Sequence, residues 1–501
     1  MSFEKILVAN RGVIARRIVR TCRQLGIPTL IAVPPGDPEN AWISGADYCV
    51  EIPDLPPFSG YLNGQALIDA ALRHKAAIHP GYGFLSERAD FRALCDEQGV
   101  QLIAPSQKVL ALAGHKAACQ DFLSQIGIPL IPRLNLGELK GAELAKACLE
   151  FANSAEGEAI GYPLLLKPAR GGGGMGMYLV NGPDKLFALI EQARHYALSH
   201  YADPALILEK YLPQARHVEV QLLGDSHGHL VHLLERECSL QRRRQKVIEE
   251  APAGFLSEVE RERVWQLALQ VGQAIGLDQV GTVEFLWHSG QFYFLEVNPR
   301  IQVEHAVTEE ITGEDLIAWQ IQIARGESVN QLNTFNQHSS STCSIEARIY
   351  AENPFTGYPC MGQISHLQWP DGAGLRVESG IQLGSEISPD FDPLLLKVIS
   401  RGRNRDEARL RLIQGLKDLQ IIGVKVNTPA LLQALQSPQF QTGSYHTETF
   451  ANGLNTWQSQ PLPAFIETLP NTLCLNPIER QTTRLPNSNH ENAYWRPAFV
   501  K

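Results

Sequence analysis

The sequence predicts a multidomain protein of mixed α/β and α+β class. Three observations carry that expectation: a length of 501 residues, an N-terminal stretch in which short apolar runs alternate with helix-spaced apolar positions, and longer strand-like runs joined by tight turns after it. At roughly 150 residues per domain, the chain holds about three globular units. In the first, residues 1–114, the runs Ile6 to Ala9, Thr29 to Val33, Ala76 to His79 and Gln101 to Ala104 read as strands, and Ile14, Ile18, Cys22 and Leu25 fall at helical spacing. That alternation predicts a doubly wound parallel sheet. Arg16, Arg17, Arg20 and Arg23 lie on the other face of this first helix, which reads as a solvated surface before a subunit contact.

Residues 115–328 form the second expected unit, with an insertion at 134–208. It contains a helix-rich stretch from Gly137 to Ala155 and a strand, Tyr162 to Lys167, that runs into a glycine cluster. The polar segment Ser328 to Ser341 reads as a connection to a third unit, 341–450. Residues 451–501 are rich in Pro, Asn and Gln and read as a tail lying along a surface. No internal repeat is visible.

Composition excludes several classes. Lys and Arg number 44 against 53 Asp and Glu, a net charge of -9, so long-range attraction to nucleic acid is not expected. No run approaches the roughly 18 apolar residues of a membrane span. Nine dispersed cysteines (22, 49, 95, 119, 148, 238, 343, 360, 474), with no C-x-x-C, fit reduced thiols. The apolar run begins at Ile6 and leaves no room for a leader, so a cytoplasmic protein is expected.

Gly171-Gly172-Gly173-Gly174-Met175-Gly176 satisfies G-x-G-x-x-G in form, but Met177 to Val180 reads as a strand where a dinucleotide fold needs a helix. No Gly-Lys-Ser/Thr closes the run, so it is no P-loop. A strand, loop, strand flap remains; Gly172, Gly173 and Gly174 would let backbone N–H groups approach phosphate, with Lys167 on the entering strand. A mobile surface turn is the competing reading.

Val283 to Trp287 and Tyr293 to Val297 flank His288-Ser289-Gly290-Gln291, a hairpin signal. If residues whose numbers sum to 580 face each other, Val283 meets Val297, Phe285 meets Leu295 and Trp287 meets Tyr293. Glu284 then lies opposite Glu296, with Asn298 on the same face. Two acids across a ladder repel each other and call for a cation. Hard oxygen donors with room for phosphate describe Mg²⁺ better than zinc or calcium; two solvated acids at a sheet edge are the alternative.

Leu240 to Glu250 packs Arg242, Arg243, Arg244 and Lys246 into five positions, which in an acidic protein reads as a gathering point for anions. Asn298 to His305 follows the acid-bearing strand and reads as the active loop. His227, His229 and His232 sit at Gly/Asp/Ser punctuation and read as a turn rather than a metal site.

Together these segments resemble the biotin carboxylase component of biotin-dependent carboxylases, an ATP-grasp family, over about residues 3–450. The resemblance rests on Ala9-Asn10-Arg11-Gly12, His79 to Glu87, Lys167 with the glycine flap, Glu209-Lys210-Tyr211-Leu212, Arg216 to Glu219, Gln241 to Pro252, Glu296 to Glu304 and Ile345-Glu346-Ala347-Arg348. It implies an N-terminal Rossmann-like parallel sheet, an ATP-grasp domain with a mobile lid, and a C-terminal α+β domain. It also implies roles. Lys116, Lys167 and His217 would hold phosphates; Glu209, Lys210, Leu212 and Leu286 would frame adenine, and Gln241 belongs with this ATP-binding set. Glu284 and Glu296, with Asn298, would bind Mg²⁺ or Mn²⁺. Lys246, Arg300, Gln302 and the Val303 backbone would hold bicarbonate, Glu304 would deprotonate it, Arg348 would steady the biotin enolate, and Tyr82 would line the biotin site.

The implied activity is ATP-dependent carboxylation of biotin through carboxyphosphate, the first half-reaction of an acetyl-CoA or other acyl-CoA carboxylase. Methionines occur only at 1, 175, 177 and 361, none beside a lysine, so biotin would ride on a separate carrier protein. A separate carboxyltransferase and a homodimer are likewise implied. Val13, Met175, Arg244, Ala306 and Pro359-Cys360-Met361-Gly362 depart from the family pattern, and Arg244 bears on ATP affinity. Two alternatives stay open: another ATP-grasp ligase joining a carboxylate to an amine or thiol, and a non-catalytic scaffold of a carboxylase.

Overall fold

The computed structural model describes residues 3–37, 42–56, 60–137, 139, 141–153, 161–169, 176–201, 203–334 and 342–457. Four short strands build the first sheet: β1 (Lys5–Val8), β2 (Thr29–Val33), β3 (Tyr48–Glu51) and β4 (Ala76–His79), all parallel in the order β3-β2-β1-β4. The apolar runs become strands because both faces are covered, and Ile6, Val8, Ile31 and Ile78 are almost fully buried. β3 was not expected. It is short and mostly exposed, so no apolar alternation marks it. Gln101 to Ala104, expected as a strand, contributes only a single bridge between Ile78 and Leu102.

A second, separate sheet has the order β5-β8-β6-β7, made of β5 (Arg133–Asn135), β6 (Leu164–Pro168), β7 (Tyr178–Val180) and β8 (Leu206–Lys210). Antiparallel pairing of β6 with β7 brackets the glycine run, whose residues 170–175, Gly172, Gly173 and Gly174 among them, lie outside the described residues. Within the helix-rich stretch expected from Gly137 to Ala155 the helix Gly141–Asn153 forms, and residues 138, 140, 154 and 155 lie outside the described residues.

The third sheet positions the chemistry. It comprises β9 (Arg216–Gly224), β10 (Leu230–Arg242), β11 (Gln245–Ala251), β12 (Val280–His288), β13 (Gln291–Asn298), β14 (Cys343–Tyr350), β15 (Leu375–Ser379) and β16 (Leu394–Gly402). Its eight strands run β13-β12-β9-β10-β11-β14-β16-β15, so one ladder spans residues from before and after the 328–341 connection. Its main core packs Val218, Val220, Val283, Phe285, Phe292 and Phe294 against Trp265 and Ala268 of the Glu258–Ile275 helix. That helix is fixed at its start by a Ser257–Glu260 capping box.

The β12–β13 register departs from the expected one. Thr282 faces Asn298, Val283 faces Val297 and Glu284 faces Glu296, but then the ladder shifts, pairing Phe285 with Phe294, Leu286 with Tyr293 and Trp287 with Phe292. The pairings of Phe285 with Leu295 and Trp287 with Tyr293 do not occur. A bulge at Leu295 turns Phe292 and Phe294 toward the core, and Phe294 N–H donates to the Pro129 carbonyl at 2.8 Å. The turn itself is two residues, Ser289 and Gly290, both with positive φ (49° and 79°), as a type I′ hairpin requires.

Arg17 is the largest departure. It is 3% exposed rather than solvated, and Nη2 reaches Glu309 at 2.8 Å and Asp315 at 2.9 Å, while Nε reaches Glu378 at 3.1 Å. Arg16, Arg20 and Arg23 are exposed. The tail was expected from 451, yet the Thr449–Trp457 helix carries structure past that point. The reading of later residues as a surface-following tail lies outside the described residues. No helix among the described residues is long and apolar enough to cross a membrane, and eight cysteines are free thiols.

Removing one partner of a buried ion network leaves uncompensated charge. Arg17→Ala is therefore expected to cost about 3–5 kcal/mol in urea unfolding, and the exposed Arg16→Ala less than about 0.5 kcal/mol. Equal effects would refute the buried role of Arg17.

Candidate active site

The β10–β11 hairpin starts the site. Arg243 and Arg244 occupy its two-residue turn, both with positive φ (50° and 65°), and Gln241 pairs with Lys246. The basic run does not act as one anion-gathering patch, because the turn divides it. Arg242 is drawn to Glu352 at 3.1 Å and to the Phe355 carbonyl, and Arg243 and Arg244 are exposed. Lys246 alone turns inward.

Its ammonium meets three carboxylates: Glu219 of β9 at 2.5 Å, Glu304 at 2.6 Å and Glu284 of β12 at 2.9 Å. Three hydrogens and three acceptors match one to one. Burial works against the ammonium, but the three acids outweigh it and hold its pKa well above the ordinary lysine value. Burial would likewise raise Glu304, yet Lys246, Arg348 and Arg236 keep it well below the usual carboxylate range. Glu284 is depressed for the same reason, by Lys246 and His217 against burial.

Glu304 caps the His305–Thr312 helix and is 1% exposed. Its second oxygen accepts from Arg348 Nη2 at 2.8 Å, and Arg348 Nε reaches Glu249 at 2.5 Å. Neither Glu219 nor Glu249 was singled out in the sequence. Glu219 follows His217 by two positions on β9, so the period of a strand already placed them on one face. Arg236 went unnoticed too: it bonds Glu219 at 2.5 Å and Gln221, Thr308 and Thr282 through its other nitrogens.

Gln241 Nε2 donates to His217 Nδ1 at 2.7 Å, and the other ring nitrogen, Nε2, lies 2.9 Å from a Glu284 oxygen. The loop after β13 closes the other side. Arg300 bonds Glu87 at 2.6 Å, Gln302 Oε1 at 2.5 Å and Asn298 Oδ1 at 2.9 Å, and the amides of Asn298 and Gln302 each donate to Glu284 at 2.8 Å. The Val303 carbonyl accepts from Lys397. Glu296, opposite Glu284, pairs with Lys116 at the start of the Lys116–Ser124 helix. Two facing carboxylates flanked by an amide are hard oxygen donors suited to Mg²⁺, and each acid is matched here by a cation of the protein.

Lys167 and Glu209 stand apart on the small sheet, bonded to each other at 2.6 Å and 3% and 2% exposed. Burial lowers the Lys167 pKa despite Glu209. Lys210 ends β8. Leu212 packs with Ile131, Ala215, Leu286 and Tyr293 in an apolar cluster; Ile131 carried no sequence signal, and Tyr293 was read only as a strand residue. Tyr82 follows β4, its hydroxyl pKa raised by burial and coupled to Asp392 and Arg348. His229 bonds Asp225 at 3.1 Å in the β9–β10 turn, and His232 stacks on Trp265.

The fold and site define an ATP-grasp protein of the biotin carboxylase kind. Residues 2–110 match the family model described as Biotin carboxylase, N-terminal domain; residues 115–332 match Carbamoyl-phosphate synthase L chain, ATP binding domain; residues 346–452 match Biotin carboxylase C-terminal domain. The chain belongs to the biotin carboxylase family. It is similar to the biotin carboxylase of Halalkalibacterium halodurans, 41% identical over 456 residues that cover 90% of this chain and 98% of that one. It is also 41% identical, over 470 residues, to methylcrotonoyl-CoA carboxylase subunit alpha, mitochondrial, of Oryza sativa subsp. japonica; the match covers 92% of this chain and 62% of that protein, so the chain spans about three fifths of this longer relative. Among solved structures it is similar to the biotin carboxylase domain dimer of the Hydrogenobacter thermophilus 2-oxoglutarate carboxylase, in complex with MgADP, ADP and bicarbonate. The TM-score is 0.85 at 38% identity, over 92% of this chain and all of that one.

Behind Arg348, Glu249 and Glu346 face each other across β11 and β14. Burial raises both, Glu249 to about 8 and Glu346 to about 7, with Arg348 and Lys397 respectively opposing it. The folded chain thus keeps protons that unfolded carboxyls, with an ordinary value of 4.5, have released, so this pair costs stability as pH rises through that window. Glu346→Gln is expected to gain stability relative to the unaltered chain as pH rises from about 4.5 to about 7 in urea titrations; a pH-independent difference would refute the proton held there.

Proposed function

We propose that this chain carboxylates biotin at the expense of ATP, with bicarbonate as the carbon source and carboxyphosphate as the intermediate. The observation that carries the reading is the Lys246 ammonium shared by Glu219, Glu284 and Glu304, with Arg348 on the free oxygen of Glu304. Such a centre holds a small anion next to a base. Lys246, Arg300, Gln302 and the Val303 backbone receive bicarbonate, and an anion drawing Lys246 toward itself weakens the grip on Glu304 and raises its basicity. Glu304 then takes the bicarbonate proton, and the dianion attacks the γ-phosphate of ATP.

Lys116, Lys167 and His217 steady the phosphates, Gly172, Gly173 and Gly174 cover them, and Glu209, Lys210, Leu212, Gln241 and Leu286 frame the nucleotide. Glu284, Glu296 and Asn298 would hold Mg²⁺, which supplies charge neutralisation at the phosphoryl oxygens. Carboxyphosphate breaks down to CO₂ and phosphate; the phosphate removes the N1 proton of biotin, and Arg348, charged at any working pH, steadies the enolate beside Tyr82.

The expected units, 1–114, 115–328 with a lid at 134–208, and 341–450, are carried forward as part of this reading. A separate carrier protein and carboxyltransferase complete the system in the cytoplasm, and the chain works as a homodimer. The Hydrogenobacter relative, described as a dimer, supports the pairing. Relatives named for methylcrotonoyl-CoA and pyruvate point to an acyl-CoA or keto acid as final acceptor, and acetyl-CoA is the first to test.

With free biotin, ADP release is expected to require bicarbonate and to yield carboxybiotin. Glu304→Ala and Lys246→Ala should each lower kcat at least about a hundredfold, as read by a coupled ADP assay. ADP release that ignores biotin but needs an amine would transfer the chain to another ligase class.

A further inference from the structure

The loop between β1 and the Gly12–Gln24 helix carries two side chains that the reading above leaves without a task, Asn10 and Arg11. Asn10 is 2% exposed; its Nδ2 donates to the carbonyls of Pro80 and Tyr82, both at 2.7 Å, and its Oδ1 accepts from Arg11 N–H at 2.8 Å. It fixes the backbone that presents Tyr82. Arg11 faces the other way. Its Nε and Nη2 donate to the two Asp37 oxygens at 2.8 and 3.0 Å, and the Tyr61 hydroxyl adds a third bond to Asp37 at 2.9 Å. The guanidinium also lies over two aromatic rings, 3.9 Å from the centre of Phe391 and 4.6 Å from that of Trp42.

Asp37 and Trp42 belong to the N-terminal unit, but Phe391 comes from the segment that leads into β16. A guanidinium pinned bidentately and packed on a ring is tightly held, and an ammonium can form neither the two-pronged pair with Asp37 nor a flat stack on the rings. Tyr61 secures the same ring from the side, edge-on at 6.2 Å between centroids. The next residue, Asp392, is exposed; its carboxylate feels the Arg348 charge and acts in turn on the Tyr82 hydroxyl, and its Oδ1 accepts from Leu394 N–H at 2.8 Å. One short loop therefore braces two walls: Asn10 holds the Tyr82 wall, and Arg11, through Phe391, holds the Asp392 wall.

We propose that Arg11 is a positioning residue for the biotin side of the cleft, fixing the 388–394 segment against the N-terminal unit so that Asp392 and Tyr82 keep a set spacing around Arg348. The assignment of that side to biotin rests on the function proposed above. A positioning role predicts a split between substrates. In Arg11→Gln the KM for free biotin should rise about tenfold, while the KM values for ATP and bicarbonate and the kcat stay within about twofold. Arg11→Lys should recover only a small part of the loss, since it restores charge without the fork. Phe391→Leu, which leaves the Arg11–Asp37 pair intact, should raise the biotin KM in the same direction. Hydrogen exchange at residues 388–394 should quicken in all three variants.

A biotin KM within twofold of the unaltered chain, or equal losses for all three substrates, overturns the proposal. If the unaltered chain carboxylates no biotin, the function proposed above fails, and exchange at 388–394 then decides the clamp by itself: unchanged protection in Arg11→Gln overturns it.

Discussion

The site depends on one largely enclosed cation, Lys246, serving three anions. Glu219, Glu284 and Glu304 come from β9, β12 and the cap of the His305–Thr312 helix, and without Lys246 their charges would repel one another in a place with little water. The cost of burying these groups is offset only because each oxygen finds a donor: Arg236 on Glu219, His217 with the Asn298 and Gln302 amides on Glu284, and Arg348 on Glu304. An anion entering this centre exchanges one set of partners for another and meets no bare positive charge, which tempers its binding and keeps the base close.

The delivery of Lys246 relies on an uncommon turn. Two non-glycine residues, Arg243 and Arg244, occupy left-handed backbone conformations, each at a cost of about 1–2 kcal/mol. The two-residue loop pairs Arg242 with Gln245 and Gln241 with Lys246 before the ladder shifts at Leu240, and that pairing sets Lys246 beside Gln241, whose amide orients His217. Loosening the turn would therefore disturb the ammonium and the imidazole together.

Much of this was legible in the sequence, for a physical reason. Glu284 and Glu296 could be paired because a two-residue hairpin and a period of two are local properties. The bulge at Leu295 was not legible, because its cause is the Pro129 carbonyl far upstream. Arg17 looked solvated among Arg16, Arg20 and Arg23, since the acids that bury it, Glu309 and Glu378, come from remote elements. Lys246 was recognisable as a functional cation within its motif; that it is shared three ways follows from strand order, which the sequence does not display. The β10–β11 run misled for the converse reason: four adjacent cations suggest a single patch, whereas a turn sends neighbours in different directions.

The two sheets also divide the work. Lys246, Glu284, Glu296, Arg348 and the acids behind them all stand on or beside the eight-stranded sheet, whose ladder crosses from the nucleotide-binding strands into the C-terminal ones. Lys167 and Glu209 stand on the four-stranded sheet and neutralise each other there. No strand is shared between the two sheets, so the Lys167–Glu209 pair and the Lys246 centre are held by separate ladders. The Lys246 centre continues inward as a polar network, from Arg348 through the facing carboxyls Glu249 and Glu346 to Lys397, Glu378 and Arg17. Such a buried polar network resists rearrangement at any one link, since moving one group strands its neighbour without a partner. The groups gathered around Lys246 are thus held by their own pairings, independently of the small sheet.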